Sequence, residues 1–422
     1  MGMAGRLRRD PQQTGHPYMR LKARLLAPLI LSTLPALAPA LSQAQDATGP
    51  KPPCGGDFGA WVEGVKAEAT AMGHPAETVN AFFSGVRTDA AVVQADRAQG
   101  VFQRDFVDFS RRLISENRIA NGRANADKYD ATFDRIEADY GVPRGVLLAF
   151  WAFETDYGAI QGDFNTVNAL ATLAHDCRRP ELFRPQLLSA IELYAQGGLD
   201  PASTTGAWAG EIGQVQMLPA DIIENGMDGD GDGRVDLKGS ARDALVSGGK
   251  MLSHLGWRAN EPWLQEIVVP QTMDWSQTGL DTEKPVSEWQ ALGVTGRSGD
   301  LGASTLPASV LLPMGKDGPA FLAYPNFRVY FEWNQSLVYV TTAAYFANRL
   351  SGAPVYDAGN PAPGLAGEEM VRLQEKLQAR GHDVGGADGI LGEMTREAVQ
   401  AEQERLGLAA DAWPTRALLD AL

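Results

Sequence analysis

The chain is short of the residues that most often carry metal and redox chemistry. It has 2 cysteines and 5 histidines in 422 residues. Two cysteines cannot build a cysteine-based zinc or iron–sulfur framework. The histidines, at 16, 74, 175, 254 and 382, are too far apart in sequence for a His-x-x-His or His-Glu-x-x-His zinc pair. A Cys–His nucleophile pair has no local support. Basic charge is short as well: 37 Lys and Arg stand against 52 Asp and Glu, a formal net charge of −15. Binding to nucleic acid needs clustered cations against the phosphates, and docking on an anionic membrane needs the same, so both are disfavoured. Beyond the N-terminus no segment is apolar for long enough to span a bilayer. What is present, 44% hydrophobic and 21% charged residues, is the mix of a folded protein with a sizeable core. The length allows two or three domains.

The one apolar run of note lies at the start. Arg6, Arg8, Arg9, Arg20, Lys22 and Arg24 precede Leu25 to Leu41, a run interrupted by Pro28, Pro35 and Pro39. Ser42-Gln43-Ala44 then offers small residues around a cleavage point. Residues 1–44 therefore read as a secretory signal, with Met19 as a second candidate start and a weak membrane anchor as the alternative. Cys54 follows Lys-Pro-Pro rather than a lipobox, which speaks against a lipoprotein. Export to the periplasm changes the cysteine argument: in an oxidising compartment Cys54 and Cys177 are expected to pair, the alternative being two buried thiols.

The mature chain divides by texture. From Phe58 to about Ser253 apolar residues step at helical spacing, as in Trp61, Val65 and Ala69, and in Val101, Phe106, Phe109 and Leu113. Pro143 suits the first turn of a helix running to Tyr157, where Gly158 ends it. Between Trp263 and Phe331, Ile267-Val268-Val269, Val310-Leu311-Leu312 and Phe327 to Phe331 read as short strands. Leu337 to Leu350 returns to helix. Residues 353–366, with Pro354, Pro361 and Pro363, read as a linker, so the expected units are 54–352 and 367–422. The fold class is mainly α (α+β), with a smaller β-rich part and a small helical module at the end.

Three stretches carry chemistry. In Ala149-Phe-Trp-Ala-Phe-Glu154-Thr-Asp-Tyr-Gly158 a carboxyl ends an apolar helical stretch. Aromatic walls favour its neutral form, and a neutral carboxylic acid can protonate a leaving oxygen. A solvated helix-end Glu is the plainer reading. In Gly206-Ala-Trp208-Ala-Gly-Glu211-Ile-Gly213-Gln214-Val-Gln216-Met-Leu-Pro219 the glycines suit a backbone that approaches a ligand closely. Trp208 can stack on a sugar ring, and Gln214 and Gln216 can bond hydroxyl or acetamido groups. A glycine-rich helix contact is the plainer reading here. In Asp228-Gly-Asp230-Gly-Asp232-Gly233-Arg234-Val-Asp236 oxygen ligands alternate as in an EF-hand loop, with the Arg234 carbonyl at the seventh position. Calcium, as a structural ion, suits that set; an acidic surface turn or a dockerin-like loop are the other readings.

Together these stretches resemble the soluble, B-type lytic murein transglycosylases, relatives of goose-type lysozyme. The resemblance runs from about Phe58 to Gly352. It rests on Glu154-Thr-Asp-Tyr-Gly, on Ala-Gly-x-x-Gly-Gln-x-Gln-x-x-Pro ending at Pro219, on the acidic loop, and on Asn326-Phe-Arg-Val with Trp333-Asn334-x-Ser336-x-x-Tyr339. It implies a lysozyme-like helical domain with Glu154 as the single acid/base. Gln216 would contact sugar, and Asn334 and Tyr339, expected to bind substrate as well, fall in the family's late motif, where Trp333 replaces its first Tyr. The EF-hand-like loop has Gly239 at its twelfth position; the resemblance puts the final carboxylate at Asp243. Glu211 stands where many members have a small residue; its two readings are a charge that shapes the cleft and a side chain pointing into solvent, the second being favoured. The resemblance further implies cleavage of the MurNAc–GlcNAc bond of peptidoglycan strands with a 1,6-anhydro product. The last module, with Leu373-Gln374-x-x-Leu377, Asp388-Gly389-x-x-Gly392-x-x-Thr395 and a weak echo at Asp411-Ala-Trp413, resembles a peptidoglycan-binding domain. A hydrolytic muramidase of the same fold and a non-enzymatic wall-binding scaffold are the competing functions.

Overall fold

A computed structural model describes residues 51–98, 103–301 and 305–422. The expected signal, residues 1–44, and Val101 lie outside them. Among the described residues there are seventeen α-helices and two small antiparallel sheets, and no helix is long and apolar enough to cross a membrane. The chain is mainly helical, as its spacing indicates.

The organising element is the helix Arg144–Thr155, here the acid helix. Every residue from Gly145 to Thr155 is buried. A helix that is apolar on all sides has no solvent face and must run through a core. Its neighbours are the helices Leu337–Leu350, Glu116–Lys128, Asp130–Tyr140 and Ala241–His254. Gly145 permits one of these contacts, because a Cβ there would lie 3.0 Å from the Ala347 carbonyl oxygen. Pro143 stands just before the helix rather than inside its first turn. The helix stops because Asp156, Tyr157 and Gly158 take left-handed φ values of 50°, 62° and 87° in succession. At Gly158 a Cβ would meet the Gln214 amide at 2.5 Å, so glycine is required both for φ and for space.

The β-rich part is a five-stranded sheet in the order Lys284–Pro285, Pro307–Leu311, Phe321–Ala323, Leu264–Val268, Thr295–Gly296. Ser309 opposes Ala323, and Glu266 opposes Phe321. Its own core gathers Trp275, Trp289, Val310 and Leu322. The expected strand Phe327 to Phe331 is a correction: those residues form the helix Pro325–Trp333. Pro325 opens the first turn, and Asn326, Phe327, Val329, Tyr330 and Trp333 make one buried face at helical spacing. Burial of that face overrides the strand preference of aromatic and β-branched residues.

Cys54 and Cys177 form a disulfide across 123 residues, with Cα atoms 5.2 Å apart. It ties the N-terminal segment to the end of the helix Thr166–His175, where Gly55 N–H also donates to the His175 carbonyl at 2.8 Å.

Residues 353–366 form no regular element, but they are not a free tether. Tyr356 is buried in the main core, its hydroxyl 2.8 Å from Ser110 Oγ, and Asp357 N–H donates to Glu266 at 2.7 Å. The helices of the last module, Glu368–Ala379, Glu393–Arg405 and Arg416–Ala421, enclose a core of Leu373, Leu377, Val399 and Leu418. The module lies against the larger unit. Arg396 donates to the Leu312 and Pro313 carbonyls, Gln400 to those of Trp275 and Thr278, and Trp413 joins the main core.

Candidate active site

Glu154 is the penultimate residue of the acid helix and is 5% exposed. Two donors converge on its Oε1: Trp333 Nε1–H at 3.0 Å and Tyr339 O–H at 2.6 Å. They come from the two sides of one turn. Trp333 ends the helix Pro325–Trp333 and Tyr339 opens the helix Leu337–Leu350. Asn334 and Ser336 shape that turn: Asn334 Oδ1 accepts from Ser336 N–H at 2.9 Å, and Ser336 caps the second helix. Trp333 stacks on Phe150 of the acid helix, centroids 4.3 Å apart, which fixes the indole N–H toward the carboxyl. Burial foremost, and then the charge of Glu154, push the Tyr339 hydroxyl well above its ordinary ionisation range. It therefore stays a donor.

The glycine-rich segment forms the adjoining wall. Thr155 Oγ1 donates to the Gln214 carbonyl at 2.5 Å, and Trp151 Nε1–H to Gln214 Oε1 at 3.1 Å. Gln214 Nε2 in turn donates to the Lys238 carbonyl at 3.2 Å. One end of this amide thus holds the acid helix and the other the Lys238 backbone, and Gln214 is a brace where a sugar contact was expected. Gln216 differs. At a left-handed φ of 52° it donates Nε2–H to the Gly213 carbonyl at 2.7 Å and to that of Gln161 at 3.3 Å, while its Oε1 has no partner among the described residues. Gly213, with φ 83°, lets the backbone pass Leu237, whose Cβ would be 2.5 Å from an added Cβ.

Three further side chains depart from expectation. Trp208 is 1% exposed and packs among Leu170, Ile191 and Ile212, so it offers no face for sugar stacking. Its neighbouring glycines and alanines bring backbone to backbone instead. Asn334 is buried and turns the chain rather than facing a cleft. Glu211, expected in solvent, is 0% exposed. Desolvation pushes its carboxyl well above the usual range, and the charge of Glu154 adds to this. The residue that sequence reasoning missed is Trp333. Its signal was present, because an indole N–H can donate where the motif's tyrosine would.

In the acidic loop the carboxylates of Asp228, Asp230 and Asp232 offer oxygens within 4.8 Å of one another. Backbone N–H groups, first that of Gly233 and also those of Gly231 and Asp232, hold Asp228 below the usual carboxylate range. Arg234 N–H donates to Asp232 Oδ1 at 2.8 Å. Asp243 is buried beneath the loop and accepts from the amides of Gly229, Asp230 and Asp236. Three anionic oxygens held this close fit a hard divalent cation.

Over residues 57–348 the chain matches the family described as "Transglycosylase SLT domain". Over residues 366–422 it matches "Putative peptidoglycan binding domain". The membrane-bound lytic murein transglycosylase B of Escherichia coli (strain K12) is 25% identical over 232 residues, 55% of this chain and 63% of that relative, so the chain spans less than two thirds of it. SltB3 from Pseudomonas aeruginosa, solved in complex with NAG-anhNAM-pentapeptide, is similar with a TM-score of 0.79 and 37% identity, covering 87% of this chain and 99% of that one. Slt35 of Escherichia coli in complex with calcium has a TM-score of 0.60 at 23% identity, covers 71% and 95%, and shows the fold alone.

Proposed function

This chain belongs to the SLT transglycosylase family, and from that premise we propose that it is an exported lytic murein transglycosylase with Glu154 as its single acid and base. The observation that carries the proposal is the buried Glu154 carboxyl with two donors converging on Oε1. With Oε1 so held, Oε2 is the oxygen that gives and takes the proton. Glu154 gives that proton to the oxygen between MurNAc and GlcNAc as the C1–O bond breaks. The carboxylate then takes the proton of the C6 hydroxyl of the same MurNAc while that oxygen bonds C1. No water is consumed, Glu154 is returned as the acid, and the product is a 1,6-anhydro sugar. Proximity within one ring replaces a bimolecular step. Trp333 and Tyr339 steady the carboxylate between the two transfers, and Gln216 Oε1 supplies an acceptor for a substrate N–H or O–H.

Hydrolysis would need a second carboxylate to act as nucleophile or to activate water. Glu211 is sealed from the cleft, and Asp156 is paired with Arg118 at 3.1 Å. Both facts favour the transglycosylase over the muramidase. Mass spectrometry of fragments released from purified sacculi tests this: 1,6-anhydroMurNAc ends are expected, and reducing MurNAc ends in their place would establish the muramidase.

The substrate places the enzyme in the periplasm, in keeping with the disulfide, and the last module adds affinity for the wall. Asp228, Asp230, Asp232, the Arg234 carbonyl and Asp243 would hold a structural Ca2+, which would neutralise the loop's crowded charge. A ligand confined to the folded state stabilises it by about 2.7 kcal/mol at a hundredfold excess over Kd. Calcium added to metal-free protein should therefore raise the melting temperature, and Asp228→Ala with Asp232→Ala should cancel the rise. A melting curve indifferent to calcium would remove the ion from the description.

A further inference from the structure

Gln161 lies three residues past Gly158, outside the motifs that carry the family resemblance. Its Nε2 has two hydrogens, and both are engaged. One goes to the Gly158 carbonyl at 3.2 Å and the other to the Lys238 carbonyl at 3.1 Å. The first closes the turn 158–161 on itself. The second ties that turn to the chain leaving the acidic loop, where Gln214 Nε2 reaches the same carbonyl at 3.2 Å. A carbonyl oxygen has two lone pairs, so that of Lys238 serves both amides. Gly162 continues the seam: at φ 84° it packs so closely on the Gly206 carbonyl that a Cβ has no room. Gln161 Oε1 has no partner among the described residues.

The backbone of this turn holds Gln216. Gln216 Nε2 also has both hydrogens engaged, on the Gly213 carbonyl at 2.7 Å and on the Gln161 carbonyl at 3.3 Å. Gly213 is three residues back in the same turn, so that bond travels with Gln216. The Gln161 carbonyl comes from a separate segment, and it fixes the amide relative to the acid helix. An amide held by both N–H groups has the direction of its oxygen set by those bonds.

We infer that Gln161 is a positioning residue for substrate binding: its side-chain amide locks the turn whose carbonyl orients Gln216 Oε1 toward the sugar. The inference rests on the reading of Gln216 as a substrate acceptor. Gln161 itself touches no substrate and acts through its two Nε2 hydrogen bonds. Glu154 is held from elsewhere, by Trp333 and Tyr339. Loosening the turn therefore weakens binding and spares the proton transfers.

Three substitutions separate the donors of Gln161 from its acceptor. Gln161→Met keeps the length and removes both. Gln161→Glu, at neutral pH, keeps acceptor oxygens and removes the donors. Gln161→Lys keeps donors and removes the acceptor. With soluble glycan strands as substrate, Gln161→Met and Gln161→Glu should each raise KM about tenfold, the effect of one misaligned hydrogen bond, with kcat within about twofold of the parent. Gln161→Lys should return KM to within about threefold. In a Gln216→Ala background, Gln161→Met should raise KM by less than about twofold more, because no oxygen is left to orient. Binding of the same strands to Glu154→Gln protein gives Kd without turnover, and the pattern should repeat there. Circular dichroism shows which variants are folded. A parental KM in both Gln161→Met and Gln161→Glu overturns the inference, and so does a loss confined to kcat. The full tenfold rise in the Gln216→Ala background also overturns it, since a merely structural Gln161 would act in either background. A KM kept by Gln161→Glu and lost by Gln161→Lys overturns it too, by making Oε1 a direct sugar contact. Failure of the functional reading looks different. An active Glu154→Gln enzyme removes the acid, and Gln216→Ala with a parental KM removes the acceptor and this inference with it.

Discussion

Glu154→Gln should leave the fold intact and abolish lysis of sacculi. The amide keeps a carbonyl oxygen at the Oε1 position, so the Trp333 N–H and Tyr339 O–H bonds at 3.0 and 2.6 Å survive. The change removes only the ability to release a proton and retrieve it. General acid or base assistance contributes about a hundredfold to ten-thousandfold when one group serves one step. Here one side chain serves two steps, so a loss of at least about a thousandfold is expected. Clearing of a sacculus suspension gives the rate, and melting temperature with far-ultraviolet circular dichroism shows that the protein is folded. A folded variant within tenfold of the parent would remove Glu154 from the mechanism, whatever the family.

How much of this was legible depends on what kind of contact made each feature. The acid helix could be read because burial on all sides writes itself as an apolar run, and because Gly158 follows it. The disulfide could be read from two cysteines and an expected export signal, and the acidic loop from alternating aspartates that converge within 4.8 Å. The failures have one cause. Trp208, Asn334, Gln214 and Glu211 all stand in or near motifs rich in polar groups and glycine, and a motif does not say which side chains face the cleft and which face the core. Gln216 and Gln214 are two residues apart and chemically identical. Only the left-handed backbone at Gln216 and the Trp151 N–H at Gln214 separate the proposed substrate contact from a brace. The helix Pro325–Trp333 was hidden similarly, because its β-branched and aromatic residues suit a strand, and only the packing of its buried face around Phe150 decides otherwise.

The segment after Gly352 was read as a linker to a separate module, and the packing argues for a larger consequence of its removal. Truncation after Gly352 should lower the melting temperature by about 10–15 °C, or leave no cooperative transition. Tyr356 sits with its ring 4.9 Å from Tyr345 and 5.2 Å from Phe106, while Trp413 joins the same core from the far end of the module. Gly315 marks how closely Trp413 is held, since an added Cβ would lie 2.6 Å from its own. Deleting a buried aromatic costs about 3–5 kcal/mol, and the cut removes two from one core. That is on the order of 6–10 kcal/mol, against a net stability of about 5–15 kcal/mol for a folded domain. For a unit of this size the entropy of unfolding converts the loss to the stated shift. Calorimetry of the truncated and full chains checks it, and Trp413→Ala in the full chain should reproduce part of the drop with the module present. Equal melting of truncated and full chains would make the segment a tether after all. Sacculus binding should fall on truncation in either case, so it is the melting temperature that distinguishes a docked module from a tethered one.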